Sequence, residues 1–406
     1  MKTIIHKTAV IAVILLIVTH SSQSQSWFRL QSNTGNHLHS IDFVDVDRGI
    51  SVGQNGVIRA TTNGGLYWYE QLSGTDRDLN SIDIIDNYKA VIAGQNGTIL
   101  TTVNWGETWV SKASGTDRDL NSVFFRTQLV GWAAGNQGTI LYTLDGGNIW
   151  AAQSPGTDRD LNAISFSGLR GWAVGDNGIV IYSANNGSVW TEQSSGTDRD
   201  LLSLAILSDY VVFASGTNGV IIKTVNGGLS WESLNSGTSE DLHSIFFVST
   251  YVGYAVGHSG TIIKTADGAN SWSALQSPTD RELRSVVFVS NTGYSAGKNG
   301  EIIKTGEALG LKQISSEAPK EFLLEQNYPN PFNPTTLIRF GISKPGMVNV
   351  EIYDITGRSI DKILNLHLNA GTYEIKWDGS RFSSGVYFYT IRTESFIETK
   401  KMLLVK

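Results

Sequence analysis

A Gly-x-x-Gly step recurs seven times in this chain, at Gly53/Gly56, Gly94/Gly97, Gly135/Gly138, Gly175/Gly178, Gly216/Gly219, Gly257/Gly260 and Gly297/Gly300, at intervals of 40 or 41 residues. A period of that length means a repeat architecture, in which no unit buries its apolar face alone and neighbours must stack. Each step sits between two short apolar runs, as in Gly131-Trp-Ala-Ala and Thr139-Ile-Leu-Tyr, so the unit reads strand, turn, strand. A third run precedes it, residues 120 to 125 for example, and a fourth follows around a tryptophan. Four strands in about 41 residues is one propeller blade. The predicted fold is all-β, a seven-bladed β-propeller over residues 27 to 305 followed by a small antiparallel β-sandwich.

The tryptophans Trp27, Trp68, Trp109, Trp150, Trp190, Trp231 and Trp272 are also seven, but the series is offset: the first precedes the first glycine step and none follows the last. The final repeat therefore lacks its outer strand, and residues 27 to 32 supply a spare one. Pairing the two ends completes blade 7 and removes the free edges of an open array.

Composition narrows the function. Of 406 residues 17% are charged, with 31 Lys+Arg against 37 Asp+Glu and a net charge of -6, so no global basic field favours nucleic acid. There is no cysteine, which excludes disulfides, thiolate metal sites and cysteine nucleophiles. Residues 1 to 24 read as a secretory signal peptide: Lys2 and Lys7, an apolar run over residues 8 to 19, then small polar residues before a cut near Gln25. The run is short for a membrane span of about 20 residues, so the mature form is expected outside the cytoplasm and not membrane-spanning.

Seven, five and three residues before each later tryptophan stand Thr or Ser, Asx and usually Gly. The Asx positions are Asn63, Asn104, Asp145, Asn185, Asn226 and Asp267, and Ala269 replaces the glycine once. An Asx side chain bonds its own turn, Gly accepts φ > 0, and Trp provides a plate for packing between blades. The pattern resembles the Asp-box repeat of sialidases and other glycan-related propellers, and is nearly silent on activity. With the GW-x-x-G strands included, residues 27 to 305 look similar to the propeller of the photosystem II assembly and stability factor family. That resemblance implies binding of a client protein rather than catalysis.

The loop before each innermost strand reads Gly-Thr-Asp-Arg-Asp-Leu almost unchanged in four repeats, with looser versions at residues 238 to 242 and 279 to 283. It leaves the same end of the blade as the Gly-x-x-Gly turn, whereas the Asp-box turns leave the other. One face thus gathers Arg77, Arg118, Arg159, Arg199 and Arg281 with Asp78, Asp119, Asp160, Asp200, Asp241 and Glu282, and Asn96, Asn177, Asn218 and Asn299 on the companion turns. Two readings stay open: a polar face taking a protein, peptide or glycan, in which Arg grips carboxylate or phosphate bidentately, or adjacent Arg/Asp pairs that staple blades.

Catalysis by paired carboxylates needs two unlike environments, and near-identical copies supply the opposite. No singular catalytic set emerges, so no enzyme, cofactor or metal is expected. His37, His39, His243 and His258 share the Arg face but are scattered over blades 1 and 6. The alternative is a glycan binder or a sialidase-like glycoside hydrolase on the same face.

Residues 306 to 320 read as a polar linker and 321 to 406 as a sandwich entered through Asn327-Tyr-Pro-Asn-Pro-Phe-Asn-Pro-Thr335. Tyr328-Pro-Asn-Pro331, Tyr353-Asp354 with Gly357-Arg358, Gly371-Thr-Tyr373, Ser384-Gly-Val-Tyr387 and the terminal Lys400-Lys-Met-Leu-Leu-Val-Lys406 resemble the C-terminal sorting domain of type IX secretion substrates. The resemblance implies export by the Sec and type IX machineries, then release or attachment at the outer cell surface.

Overall fold

The computed structural model of the chain describes residues 27–306, 311–380 and 382–406; the predicted signal peptide lies outside them. Seven four-stranded antiparallel sheets follow in chain order. Blade 1 runs Leu38–Phe43, Gly49–Gly53, Ile58–Thr61 and Tyr69–Gln71 from the axis outward. Blades 2 to 6 repeat it, with innermost strands beginning at Leu79, Leu120, Leu161, Leu201 and Leu242. Blade 7 has three strands of its own, Leu283–Val289, Thr292–Gly297 and Glu301–Thr305, and takes Phe28–Gln31 as its fourth. Phe28 stands opposite Lys304 and Gln31 opposite Glu301. The innermost strands of blades 7 and 1 pack together as every neighbouring pair does, so the ring is closed.

Two contacts fasten that closure. Trp27 meets the rings of Tyr254 and Phe288 edge-on at centroid distances of 6.3 and 6.0 Å. The enclosed Glu301 carboxylate receives Arg29 at 2.6 and 2.8 Å and Arg281 at 3.2 Å. Glu301 belongs to the last blade and Arg29 to the first strand, so one buried acid ties the two ends.

Blades pack through a paired choice of side chains. In blade 3 Phe125 lies against Gly131, where an added Cβ would stand 2.7 Å from the phenyl ring. Blades 1, 4, 6 and 7 use the same pair: Phe43/Gly49, Phe166/Gly171, Phe247/Gly253 and Phe288/Gly293. Blades 2 and 5 enlarge the small partner and shrink the large one together, as Ile84/Ala90 and Ile206/Val212. An aromatic of the preceding blade then covers the phenyl, as Tyr294 does Phe43 and Trp132 does Phe166, both at 3.7 Å.

Around the axis six of the seven innermost strands are pinned to the next by a serine. Ser40 accepts the Ile82 N–H at 3.3 Å, Ser81 that of Val123 at 3.1 Å, and Ser122, Ser203, Ser244 and Ser285 repeat the bond. Blade 4 has Ala163 at that place. One step deeper Asp42 and Asp83 accept the N–H groups of Ile84 and Phe125. Burial pushes both carboxyls above the ordinary carboxylate range, and the charge of Asp42 raises Asp83 further.

The C-terminal unit packs two four-stranded sheets over one core that includes Ile338, Phe340, Val350, Trp377 and Tyr389. It differs from expectation in two places. Within the predicted linker, Leu311–Ser315 is a strand paired with Gly371–Asp378, because the buried Leu311 joins the sandwich core. Ser359–Leu368 is a strand absent from the sequence reading; register shifts in its pairing with Gly346–Tyr353 break the alternation that marks a strand.

Candidate functional site

The charged loops and the Gly-x-x-Gly turns do share one face. The middle residue of each turn has positive φ, 52 to 55°, and is Asn in five blades, Gln137 and Ser259 in the others. Asn tolerates this left-handed conformation better than most residues. The second glycine is required there too: at Gly56 an added Cβ would meet the Thr75 carbonyl oxygen of the next loop at 2.0 Å.

The turn's middle N–H is capped from the following blade. Asp78 accepts that of Asn55 at 2.9 Å, Asp119 that of Asn96 at 2.8 Å, and Asp160 that of Gln137 at 2.7 Å. Asp200 and Asp241 do the same for Asn177 and Asn218, both at 2.8 Å. In the ring's last step His37 Nδ1 takes the Asn299 N–H at 3.1 Å. These acids are therefore clamps between blades.

The arginines point elsewhere. Arg77 donates to the Asn96 carbonyl at 3.2 Å, Arg118 to Gln137 at 2.9 Å and Arg281 to Asn299 at 3.1 Å, each on its own blade's turn. Arg159 reaches Glu192 at 3.3 Å, and only Arg199 lies near a loop acid, 3.7 Å from Asp198. The adjacent Arg/Asp pairing considered from the sequence is thus not what the loops do, because the following Asp turns to the preceding blade. Arg77, Arg118, Arg159 and Arg199 stay exposed, as do Asp76, Asp117, Asp158 and Asp198. Open grooves lie between these loops. One of about 980 Å³ is lined by Arg77, Arg118, Trp109 and Lys112, and one of about 540 Å³ by Arg159, Asn177, Glu192 and Asp198.

The arginines lean over the blades, so the channel mouth belongs to other residues. The position after each innermost-strand Leu holds His39, Asn80, Asn121, Asn162, Leu202, His243 and Arg284. Asn80, Asn121 and Asn162 donate to the carbonyls of Leu120, Leu161 and Leu201 in the next blade, at 3.0 to 3.1 Å. Blade 5, with Leu202, loses the bridge, and blades 6, 7 and 1 replace the Asn by titratable or charged side chains. Arg284 Nε donates to Glu282 at 2.8 Å, Lys298 Nζ lies 2.5 Å from the same carboxylate, and His243 Nε2 is 3.6 Å away. Against the desolvation of burial, Lys298 and Arg284 hold Glu282 down to about 2. Burial lowers His39 and His243; Arg284 pushes both the same way, and Glu282 opposes it at His243. His258, further out, pairs with Glu240 at 2.9 Å. Sequence reasoning missed Arg284; the loss of the repeat's Asn in four consecutive blades, 5, 6, 7 and 1, was the signal.

On the opposite face the Asp-box works as a turn lock. Thr61 Oγ1 donates to Asn63 Oδ1 at 3.0 Å and accepts the Gly65 N–H at 2.9 Å, while Asn63 Oδ1 accepts that of Tyr67 at 3.0 Å. Asn104, Asp145, Asn185, Asn226 and Asp267 repeat the arrangement. The Ile149 N–H is the main group holding Asp145 below its ordinary range. Trp68, Trp150 and Trp190 are buried, and Trp109, Trp231 and Trp272 are partly buried. Trp109, Trp190 and Trp231 donate to Gln71, Gln153 and Gln193 of the preceding blade. Among the described residues no group of three or more His, Asp or Glu is placed to hold a metal ion, and no helix is long and apolar enough to cross a membrane.

Residues 326–406 match the secretion system C-terminal sorting domain, and residues 19–115 and 111–199 match the photosynthesis system II assembly factor YCF48. Among solved structures, the propeller is similar to YCF48 bound to D1 peptide, at 19% identity and TM-score 0.60 over 69% of this chain and 94% of that one. It is similar also to YCF48 from Cyanidioschyzon merolae, at 17% identity and TM-score 0.60 over 69% and 98%. The WD40 propeller domain of Doa1 aligns at 14% identity and TM-score 0.56 over 70% and 96%. No curated protein matches the chain. The chain thus pairs a propeller similar to YCF48 with a C-terminal segment that matches a secretion-system sorting domain.

Proposed function

We propose that this chain is a secreted or surface-displayed, non-catalytic propeller that binds a protein or peptide through its Arg/Asp loop face. The observation that carries the reading is the division of labour in the loops. Their inner acids are engaged as clamps, while the guanidiniums of Arg77, Arg118 and Arg159 line open grooves of about 980 and 540 Å³ and Arg199 stands exposed beside them. Exposed acids beside them favour a mixed-charge ligand over a purely anionic one. A propeller of the same fold holding a D1 peptide supports this ligand class, and the C-terminal match supports export by the Sec and type IX machineries.

The test is a pull-down from envelope and culture extract with immobilised full-length protein. A variant carrying Arg77→Ala, Arg118→Ala, Arg159→Ala and Arg199→Ala, shown to melt like wild type, runs beside it. A protein or peptide held by the wild type and lost by the variant supports the face. Equal capture by both refutes it, and a captured glycan would favour the glycan-binding alternative.

A further inference from the structure

Seven copies of one loop make a nearly symmetric face, and a single unlike ligand needs a place where that symmetry is broken. The channel mouth supplies one. Three successive blades carry Asn80, Asn121 and Asn162, and each amide is consumed in bridging to the next blade. Blades 6, 7 and 1 carry His243, Arg284 and His39 instead.

Arg284 commits one nitrogen, Nε, to Glu282, and no other hydrogen bond of its guanidinium occurs among the described residues. Its side chain is 28% exposed, so the terminal nitrogens are reachable from the mouth. His243 Nε2 is shielded from solvent and makes no hydrogen bond, its nearest anion being Glu282 Oε1 at 3.6 Å. Glu282 is shared between Arg284 and Lys298, which leaves these three groups one positive charge in excess, while Asp78 beside His39 and Asp241 beside His243 are engaged on the Asn55 and Asn218 N–H groups. A planar, doubly donating guanidinium beside two imidazoles is the geometry that receives a carboxylate.

We propose that Arg284, with His39 and His243 at its sides, is an anchor for a single carboxylate of a bound peptide. This deepens the peptide-binding reading above and rests on it. The carboxylate comes either from a peptide C-terminus or from an Asp or Glu side chain; the chemistry is shared and the test separates them. The rest of the chain then runs outward from the axis across the arginine-bordered grooves, so this arc sets position and direction.

The decisive variant is Arg284→Asn, which installs the residue that blades 2, 3 and 4 already accommodate. His243→Asn is its companion, and both are checked by thermal melt. The first measurement follows the imidazole resonances of the full-length protein by NMR while N-acetylglycine, a bare monocarboxylate, is added. Saturable shifts at His39 and His243 are expected, with at least tenfold weaker binding in Arg284→Asn. No saturable shift in the wild type, or the same affinity in the variant, overturns the anchor whatever the pull-down shows.

The second measurement is affinity selection from a random octapeptide mixture in three forms: free C-terminus, amidated, and amidated without Asp or Glu. Enrichment of the first form alone identifies a terminal carboxylate, and of the first two a side-chain carboxylate. Equal enrichment of all three, unchanged in Arg284→Asn, overturns the anchor and leaves the peptide-binding face standing. A shift with N-acetylglycine but no peptide enriched in any form keeps the carboxylate site and overturns its role as a peptide anchor, while the pull-down decides the face.

Discussion

The backbone N–H of Asn299, in the last blade, donates to His37 Nδ1 at 3.1 Å, in the place where five other loops use Asp. The inner loop acids thus tie neighbouring blades together, while the arginines beside them bond only within their own blade or at the surface and stay exposed at Arg77, Arg118, Arg159 and Arg199. Asp119→Ala is expected to cost about 1 kcal/mol by stranding the Asn96 N–H, whereas Arg118→Ala changes stability by no more than about 0.5 kcal/mol. His37→Ala is expected to behave like Asp119→Ala, and His37→Asp to stay near wild type. Urea denaturation measures all four, and equal losses from the Arg and Asp variants would contradict the division.

Ring closure rests on few residues. Trp27 is 5% exposed and fills the seam between blades 6 and 7, so Trp27→Ala should cost about 3 to 5 kcal/mol. Glu301→Gln keeps the shape but leaves Arg29 and Arg281 without their counter-charge, and is expected to lower the melting temperature by several degrees. A melt unchanged by either substitution would show that the ring does not depend on its N-terminal strand.

The paired Phe and Gly of the blades give a compensation experiment. Gly131→Ala drives a methyl into the Phe125 ring and should destabilise by about 1 to 3 kcal/mol. Adding Phe125→Ile, the combination that blade 2 uses as Ile84 and Ala90, should recover most of the loss. The coupling energy of the double-mutant cycle reads the result directly.

Asp42 and Asp83 predict a pH dependence of stability. Their carboxyls are raised in the folded state, so above about pH 4 the unfolded chain gives up these protons first. The native state then binds more protons, and stability falls as pH rises toward neutrality. Asp83→Asn keeps an oxygen for the Phe125 N–H and cannot ionise, so its stability should fall less steeply between about pH 5 and 8. A wild type that gains stability over that range would reverse the sign and refute the assignment.

What was legible in the sequence follows from what repeats. Gly53 to Gly300 mark turns that only a few residues fit, so the seven blades and the missing outer strand could be counted before any coordinates. The partners of Asp78 and Arg77 could not, because the two side chains are adjacent in sequence yet turn to different blades, Asp78 to the preceding blade's turn and Arg77 to its own. Arg284 was hidden for a different reason. Its repeat position is occupied by Asn, His, Leu or Arg, so no motif marks it, and only the three Asn bridges show that position to be the channel mouth. In the sandwich, Leu311–Ser315 is too short and too polar to announce itself until Gly371–Asp378 is seen alongside.

The strand Phe28–Gln31 has a consequence in time. Among the first residues to emerge from synthesis, it finds its place only beside Glu301–Thr305, among the last of the propeller. A nascent chain has therefore no ring to close until the whole repeat array has been made. A chain that stops short of blade 7 keeps two bare strand edges, which mark it as incomplete to any protease or chaperone that reads exposed backbone.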